Sequence, residues 1–154
     1  ELIKVQSGRE MHKAVFAQLP ADVAIFVAAV SDWYIDHVSE QKIKKNSNGP
    51  PVLKFNENPD ILRDVGNLKD DRPCLVIGFA AETEDLYKNA ETKFKKKGCD
   101  WVIANDVSGT TGYMGGTENK ICLISKKQKE DWPLMSKKSV AKKLAAKICT
   151  ALEV

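Results

Sequence analysis

Asp22-Val23-Ala24-Ile25-Phe26-Val27-Ala28-Ala29-Val30, running straight into Ser31-Asp32-Trp33, is the stretch whose reading decides the fold. No polar side chain interrupts Val23 to Val30, so a strand here has both faces covered, as in the centre of a parallel sheet. Working outward, Cys74 to Ala80 and Trp101 to Ala104 repeat the pattern at strand length. Helix signals lie between these runs. Ser7-Gly8-Arg9-Glu10 is an S-x-x-E box opening a helix from Gly8 to Leu19, which Pro20 ends. Asn58-Pro59-Asp60 supplies an N-cap, a proline at the first helical position and an early acid for a helix to Lys69. Thr83 caps a third helix, with Glu84 and Asp85 in its first turn and Lys95-Lys96-Lys97-Gly98 at its close.

The remaining segments complete the pattern. Leu2 to Val5 and Val52 to Phe55 read as short strands, and Ile121 to Ser125 with Asp131 to Met135 as a hairpin across Lys126 to Glu130. Val140, Leu144, Ile148 and Leu152 recur four apart, the stripe of an amphipathic helix from Ser136 to Leu152. Ser31 to Pro51 is polar, basic and rich in Asn, Gly and Pro, and reads as a long mobile loop. This order predicts the α/β class: an open, mostly parallel Rossmann-like sheet with flanking helices, right-handed crossovers and a C-terminal β-hairpin.

A length of 154 residues fits one domain, residues 1–154, and no repeat or linker divides it. With 43% hydrophobic and 29% charged residues the composition is that of a folded globular chain. Its 24 basic and 21 acidic residues leave a net charge of +3, too balanced for a protein that wraps nucleic acid, so any anion site is local. No apolar run approaches the roughly 20 residues of a membrane span, and no signal peptide is evident, which makes the cytoplasm the expected location. The four cysteines form no CxxC pair, and Cys74, Cys99 and Cys122 sit beside apolar runs as reduced, buried thiols would. Two histidines, His12 and His37, are too few and too separated for a metal site or a hydrolytic triad. The chain opens on Glu1 and enters an apolar stretch at once, as a fragment cut before a strand would.

In open α/β sheets, ligands bind beyond the carboxyl ends of the strands, where helix N-termini and loops converge. Three strand ends here run from small residues into a polar group: Ala28-Ala29-Val30-Ser31-Asp32, Gly78-Phe79-Ala80-Ala81-Glu82 and Ala104-Asn105-Asp106. Small residues let a ligand reach the backbone, and Asp32 or Asn105 can bond a ribose hydroxyl or a base edge. Both are also ordinary turn formers. Lys42-Ile43-Lys44-Lys45 places three ammonium groups in a loop suited to phosphates, although such a run equally suits a solvated surface. Lys93 and Lys97, four apart, share one helix face. Asn56-Glu57-Asn58-Pro59 offers amides and a rigid entry to a helix, and Phe79 either turns into the core or flanks a flat base. No P-loop, G-x-G-x-x-G or HExxH is present.

Taken in order, Ala28-Ala29-Val30-Ser31-Asp32-Trp33, Lys42-Ile43-Lys44-Lys45, Asn58-Pro59-Asp60-Ile61, Gly78-Phe79-Ala80-Ala81-Glu82-Thr83 and Ala104-Asn105-Asp106-Val107-Ser108 resemble phosphopantothenoylcysteine synthetase of the bacterial type, over nearly all of the chain. The resemblance implies a ligase of coenzyme A biosynthesis. CTP activates the carboxylate of 4′-phosphopantothenate as an acyl cytidylate, and the amine of cysteine displaces CMP. It implies Mg2+ with the triphosphate, and FMN only in a decarboxylase half outside this chain. By motif it implies that Phe26, Val27, Ala28 and Asp32 hold the cytidine side. Asn56, Glu57, Asn58, Pro59, Phe79, Lys93 and Lys97 complete the nucleotide site, and Lys42 is the catalytic flap lysine. It further implies a homodimer joined through the Ile121–Met135 hairpin, and an N-terminal glycine-rich segment that this chain lacks. A nucleotide-binding α/β module without catalysis is the alternative, and a basic nucleic-acid module a remoter one, disfavoured because no aromatic platforms interleave with the lysines.

Overall fold

The structure is a computed structural model that describes residues 1–36, 41, 43–44, 52–108 and 116–153. In chain order its elements are α1 (Gly8–Phe16), β1 (Val23–Phe26), β2 (Trp33–Ile35), β3 (Phe55–Glu57), α2 (Ile61–Gly66), β4 (Leu75–Glu82), α3 (Leu86–Lys97) and β5 (Trp101–Asp106). There follow β6 (Glu118–Asn119), β7 (Ile121–Ser125), β8 (Lys129–Asp131), β9 (Met135–Ser136) and α4 (Lys137–Leu152). The central sheet has five strands in the order β1-β4-β5-β7-β8. β1, β4 and β5 run parallel, while β7 and β8 are antiparallel additions. The expected α/β class with a mainly parallel sheet and flanking helices is the fold observed.

Strand alternation builds two cores. On one face Val76, Ala80, Val102 and Ala104 meet Ile61, Leu62 and Val65 of α2 and Ala90 of α3, with Met11, Val15 and Phe16 of α1 beside them. On the other, Leu75, Ile77, Ile103 and Leu123 meet Trp132 and the α4 stripe of Val140, Leu144, Ile148 and Leu152. Three helices thus cover one face and α4 covers the other. Gly78 marks the closest approach, since a Cβ there would lie 2.5 Å from Leu62 Cδ2. Gly98 ends α3 in the left-handed region at φ 66°, a conformation that favours glycine.

At the end of the sheet where β4 and β5 begin, one side chain ties both helices to it. Arg72 donates to Gly66 O at the end of α2, to Gly98 O at the end of α3 and to Pro73 O, each at 2.9 Å, and pairs with Asp100 at 2.9 Å. Asp100 also accepts the Val76 N–H at 2.7 Å. The flat, five-donor guanidinium meets all four oxygens.

Several expectations are corrected. The decisive apolar run forms a strand only as far as Phe26, and β1 is an edge strand rather than a central one. Its last ladder partner is Gly78, and the chain then turns away. Leu2 to Val5 forms no ladder, and Leu2 is 82% exposed. The segment read as a loop from Ser31 contains β2, which pairs antiparallel with β3, so that Ile35 faces Phe55. β3 lies at 55–57 rather than 52–55. The α1 helix ends at Phe16, and α2 spans Ile61–Gly66 with Asp60, not Asn58, as the N-cap. Asp85, not Thr83, precedes α3, and it makes no side-chain cap bond. β4 and β5 run on to Glu82 and Asp106, so Asn105 sits inside a ladder opposite Ile121. The hairpin closes earlier, with Ser125 N bonded to Gln128 O, and Met135 pairs instead with Asn119. Cys74 is exposed rather than buried, whereas Cys99 and Cys122 are buried as expected.

Candidate functional site

A cavity of about 660 Å3 opens where β1 and β4 end. It receives residues from three directions. Phe26, Val27 and Ala28 come from β1 and its continuation, Asp32 from the turn beyond it, and Asn58, Pro59 and Asp60 from the entry to α2. Phe79 of β4 and Lys93 and Lys97 of α3 line it as well. Nine of the twelve candidate site residues therefore share one cavity, with Asp60 beside them. Asn56 and Glu57 do not line it, because they are spent in the β3 ladder opposite Tyr34 and Trp33. Asn105 does not line it either. Lys42 and Lys45 lie outside the described residues.

The turn that carries Asp32 is locked by one asparagine. The Asn58 backbone N–H donates to Asp32 O at 2.8 Å, and its side-chain amide donates to Ser31 O at 2.9 Å and Trp33 O at 3.2 Å. Ser31 Oγ adds a bond to Trp33 O at 2.9 Å. The amide of Asn58 is thus consumed in positioning residues 31–33, and its backbone N–H, expected to be free for a ligand, is consumed too. A ligand at Asp32 meets a carboxylate on backbone already fixed from three sides.

Lys93 and Lys97 reach the cavity with different partners. Lys93 Nζ donates to Phe79 O at 2.8 Å. Burial depresses the Lys93 ammonium below the usual lysine range; the nearby Glu82 charge opposes that shift, and Lys97 adds to it. Lys97 forms an ion pair with Asp60, both side chains being about three-quarters buried. Burial alone would raise the Asp60 carboxyl, but the Lys97 ammonium and the Arg63 N–H together hold it below the ordinary carboxylate value. Asp60 therefore does two things: it caps α2, accepting Arg63 N at 3.2 Å, and it holds Lys97 toward the cavity. The cap was visible as an early acid. The pairing was not, because 37 positions separate the two residues.

Phe79 sends its ring into the core beneath α4, while its carbonyl faces Lys93. The two buried thiols are poor nucleophiles. Burial pushes Cys122 up to about 12, helped by its bond toward Asp131, and burial likewise raises Cys99. Among the described residues no three His, Cys, Asp or Glu side chains stand close enough to hold a metal ion. What the arrangement offers is an apolar floor, the Asp32 carboxylate on a fixed turn and two ammonium groups, one of them paired with Asp60, a set that suits a polyanionic nucleotide.

Residues 1–152 match the family described as DNA/pantothenate metabolism flavoprotein C-terminal domain. Among curated proteins, the coenzyme A biosynthesis bifunctional protein CoaBC of Vibrio cholerae is 39% identical over 141 residues, covering 90% of this chain and 35% of that protein. Its namesake from Bacillus subtilis is 35% identical over 143 residues, covering 92% of this chain and 34% of that protein. The chain spans about a third of the length of these relatives. Among solved structures, the C-terminal domain of a CoaBC protein superposes with a TM-score of 0.75 at 29% identity, over 98% of this chain and 65% of that one. A flavoprotein of the same description from Streptococcus pneumoniae has a TM-score of 0.70 at 21% identity, covering 98% of this chain and 71% of that one, a likeness of fold. No described helix is long and apolar enough to cross a membrane.

Proposed function

Because the chain belongs to the DNA/pantothenate metabolism flavoprotein C-terminal domain family, we propose that it ligates cysteine to 4′-phosphopantothenate at the expense of CTP, in the cytoplasm, as a homodimer. The observation that carries this reading is the convergence of Lys93 and Lys97 on the cavity that Asp32 also lines. In the first step a carboxylate oxygen of 4′-phosphopantothenate attacks the α-phosphorus of CTP. The bond to the bridging oxygen breaks, and pyrophosphate leaves with the electron pair. In the second, the amine of cysteine attacks the acyl carbon, CMP departs, and the surplus proton on nitrogen passes to solvent.

The chain's own groups have separable parts in this scheme. Asp32 accepts hydrogen bonds from the nucleoside throughout, and so contributes to binding rather than to turnover. Lys93 and Lys97 stand as cations for phosphate oxygens, Lys93 fixed on a carbonyl and Lys97 held by Asp60 until a ligand competes for it. Lys42 is proposed as the donor that follows charge developing on the reacting oxygens. The described residues do not form a cage for Mg2+, so the ion would enter with the triphosphate, held by its oxygens and water. No step is assigned to it.

Pyrophosphate release tests the proposal on a chain extended to the length of its relatives. CTP should support release only when 4′-phosphopantothenate is present, ATP should not replace it, and cysteine should then release CMP. Tight CTP binding without pyrophosphate would instead establish a non-catalytic nucleotide module. Absence of CTP binding would refute both readings.

A further inference from the structure

Asp60 and Lys97 meet at the cavity wall rather than in the core. Each keeps about a quarter of its side chain exposed, and both line the space that Asp32 and Lys93 also line. The pair is not needed to hold α2 against α3. Arg72 already bridges Gly66 O and Gly98 O at the trailing ends of the two helices, and the Asn67 amide donates to Arg63 O at 2.7 Å and to Lys97 O at 3.4 Å. Nor would the carboxylate be stranded if the ammonium left. Its two oxygens have separate partners, Oδ2 facing Lys97 and Oδ1 accepting Arg63 N at 3.2 Å, so the cap bond persists without the lysine. Lys93, one turn earlier on α3, is bonded instead to the neutral Phe79 carbonyl.

We propose that Asp60 is the site's own stand-in for a phosphate: its carboxylate holds Lys97 until a phosphoryl oxygen of the nucleotide displaces it, and takes the ammonium back as pyrophosphate leaves. This exchange rests on the nucleotide reading of the cavity and adds to it the means by which a tightly held anion is let go. Carboxylate and phosphate oxygens are equivalent partners for an ammonium, each accepting a short charge-assisted bond. A lysine is suited to changing between them, being a compact charge on a flexible stem. The lysine and the N–H of Arg63 keep the Asp60 carboxyl below its ordinary value, so it stays ionised near neutrality and competes with any anion there.

Asp60 is in this scheme a positioning residue that tempers affinity. An anion that takes Lys97 must first undo an ion pair, so it binds more weakly than a bare ammonium would allow and departs more easily. An Asp60 that merely aims Lys97 at the ligand has the opposite signature, since loss of its charge would then weaken anion binding.

Calorimetry with inorganic pyrophosphate, CTP and cytidine, on the chain extended to the length of its relatives, reads that sign. Asp60→Asn retains the cap bond, and melting curves check that it folds. It should bind pyrophosphate and CTP about tenfold more tightly than wild type, because a partly buried pair no longer has to be undone. Cytidine, which brings no phosphate, should bind within about twofold of wild type. Adding Lys97→Met to Asp60→Asn removes both charges together, strands neither, and should cancel the gain. Asp64→Asn takes an acid from the same helix but outside the cavity lining, and should leave pyrophosphate affinity within about twofold. Pyrophosphate affinity unchanged or weaker in Asp60→Asn, a gain shared by cytidine, or a gain that survives Lys97→Met would overturn the exchange. The ligase reading fails differently, by absence of CTP-dependent pyrophosphate release, and tighter pyrophosphate binding by Asp60→Asn would stand without it.

Discussion

Exchanging Asp60 for asparagine separates the two tasks of that residue. Asparagine caps helices as well as aspartate does, so the bond from Arg63 N is retained and α2 keeps its start. What disappears is the charge facing Lys97. Exposed ion pairs contribute about 0.2–1 kcal/mol, while breaking a fully buried one costs about 3–5 kcal/mol. With both side chains about three-quarters buried, the Asp60–Lys97 pair falls between, at about 1–2 kcal/mol. For a domain of this length that is a melting shift of about 3–6 °C. The sign of the pH dependence follows from the depressed Asp60 carboxyl. Its stabilisation is fully present above the ordinary carboxylate value of 3.8 and is lost as pH falls through the lower folded-state value. Urea denaturation of wild type and Asp60→Asn at neutral pH and at successive steps below pH 4 measures this. The gap between the two should be full at neutrality and narrow in acid. A gap that persists unchanged through the acid range, or that is absent at neutrality, would refute the assignment of the ion pair.

Lys93→Met should melt within about 1 kcal/mol of wild type, because relief of ammonium burial offsets the lost bond to Phe79 O, while CTP affinity measured by calorimetry on the extended chain falls at least about tenfold. Gly78→Ala should destabilise by about 1–3 kcal/mol in thermal melting, since its methyl would meet Leu62 in a packed core. Asp32→Asn keeps the shape of the turn, so stability should hold while CTP affinity drops by about 1.5–3 kcal/mol, the worth of a hydrogen bond to a charged group. Lys42→Gln should lower turnover by about a hundredfold or more, with CTP binding and melting little changed, a split that steady-state kinetics beside melting curves will read.

Legibility in the sequence tracked how local the deciding physics was. The apolar runs of β4 and β5, the Ser7 cap and the four-residue stripe of α4 are properties of short windows, and the structure has all of them. The extent of β1 was not local, since its neighbour β4 runs on to Glu82 while the chain leaves the ladder after Phe26, and Val27 to Val30 carry residues as fit for a strand as those before them. β2 was hidden for the same reason. Trp33, Tyr34 and Ile35 are good strand formers, but they sit amid turn and loop residues, and their partners lie about 20 positions downstream. At the site, the spacing of Lys93 and Lys97 put both on one helix face, and the strand-end rule brought Asp32 to the same cavity. The roles of Asn58 and Asp60 needed three dimensions. A cap pattern at a helix entry says nothing about a turn 27 positions earlier or a lysine 37 positions later.

Arg72 is nowhere near the cavity lining, yet it governs how the effects of variation will have to be sorted. It fastens the trailing ends of α2 and α3 to one another and to the sheet, and those two helices carry Asp60 at one N-terminus and Lys93 and Lys97 along the other. The spacing between the carboxylate and the cations is therefore set in part from the opposite end of the domain. A lysine at position 72 would preserve charge and length but cannot satisfy three carbonyls and a carboxylate from one plane. In a mutational scan scored by nucleotide affinity, damage at this residue would be filed with the ligand-contacting positions, although its origin is the alignment of two helix axes.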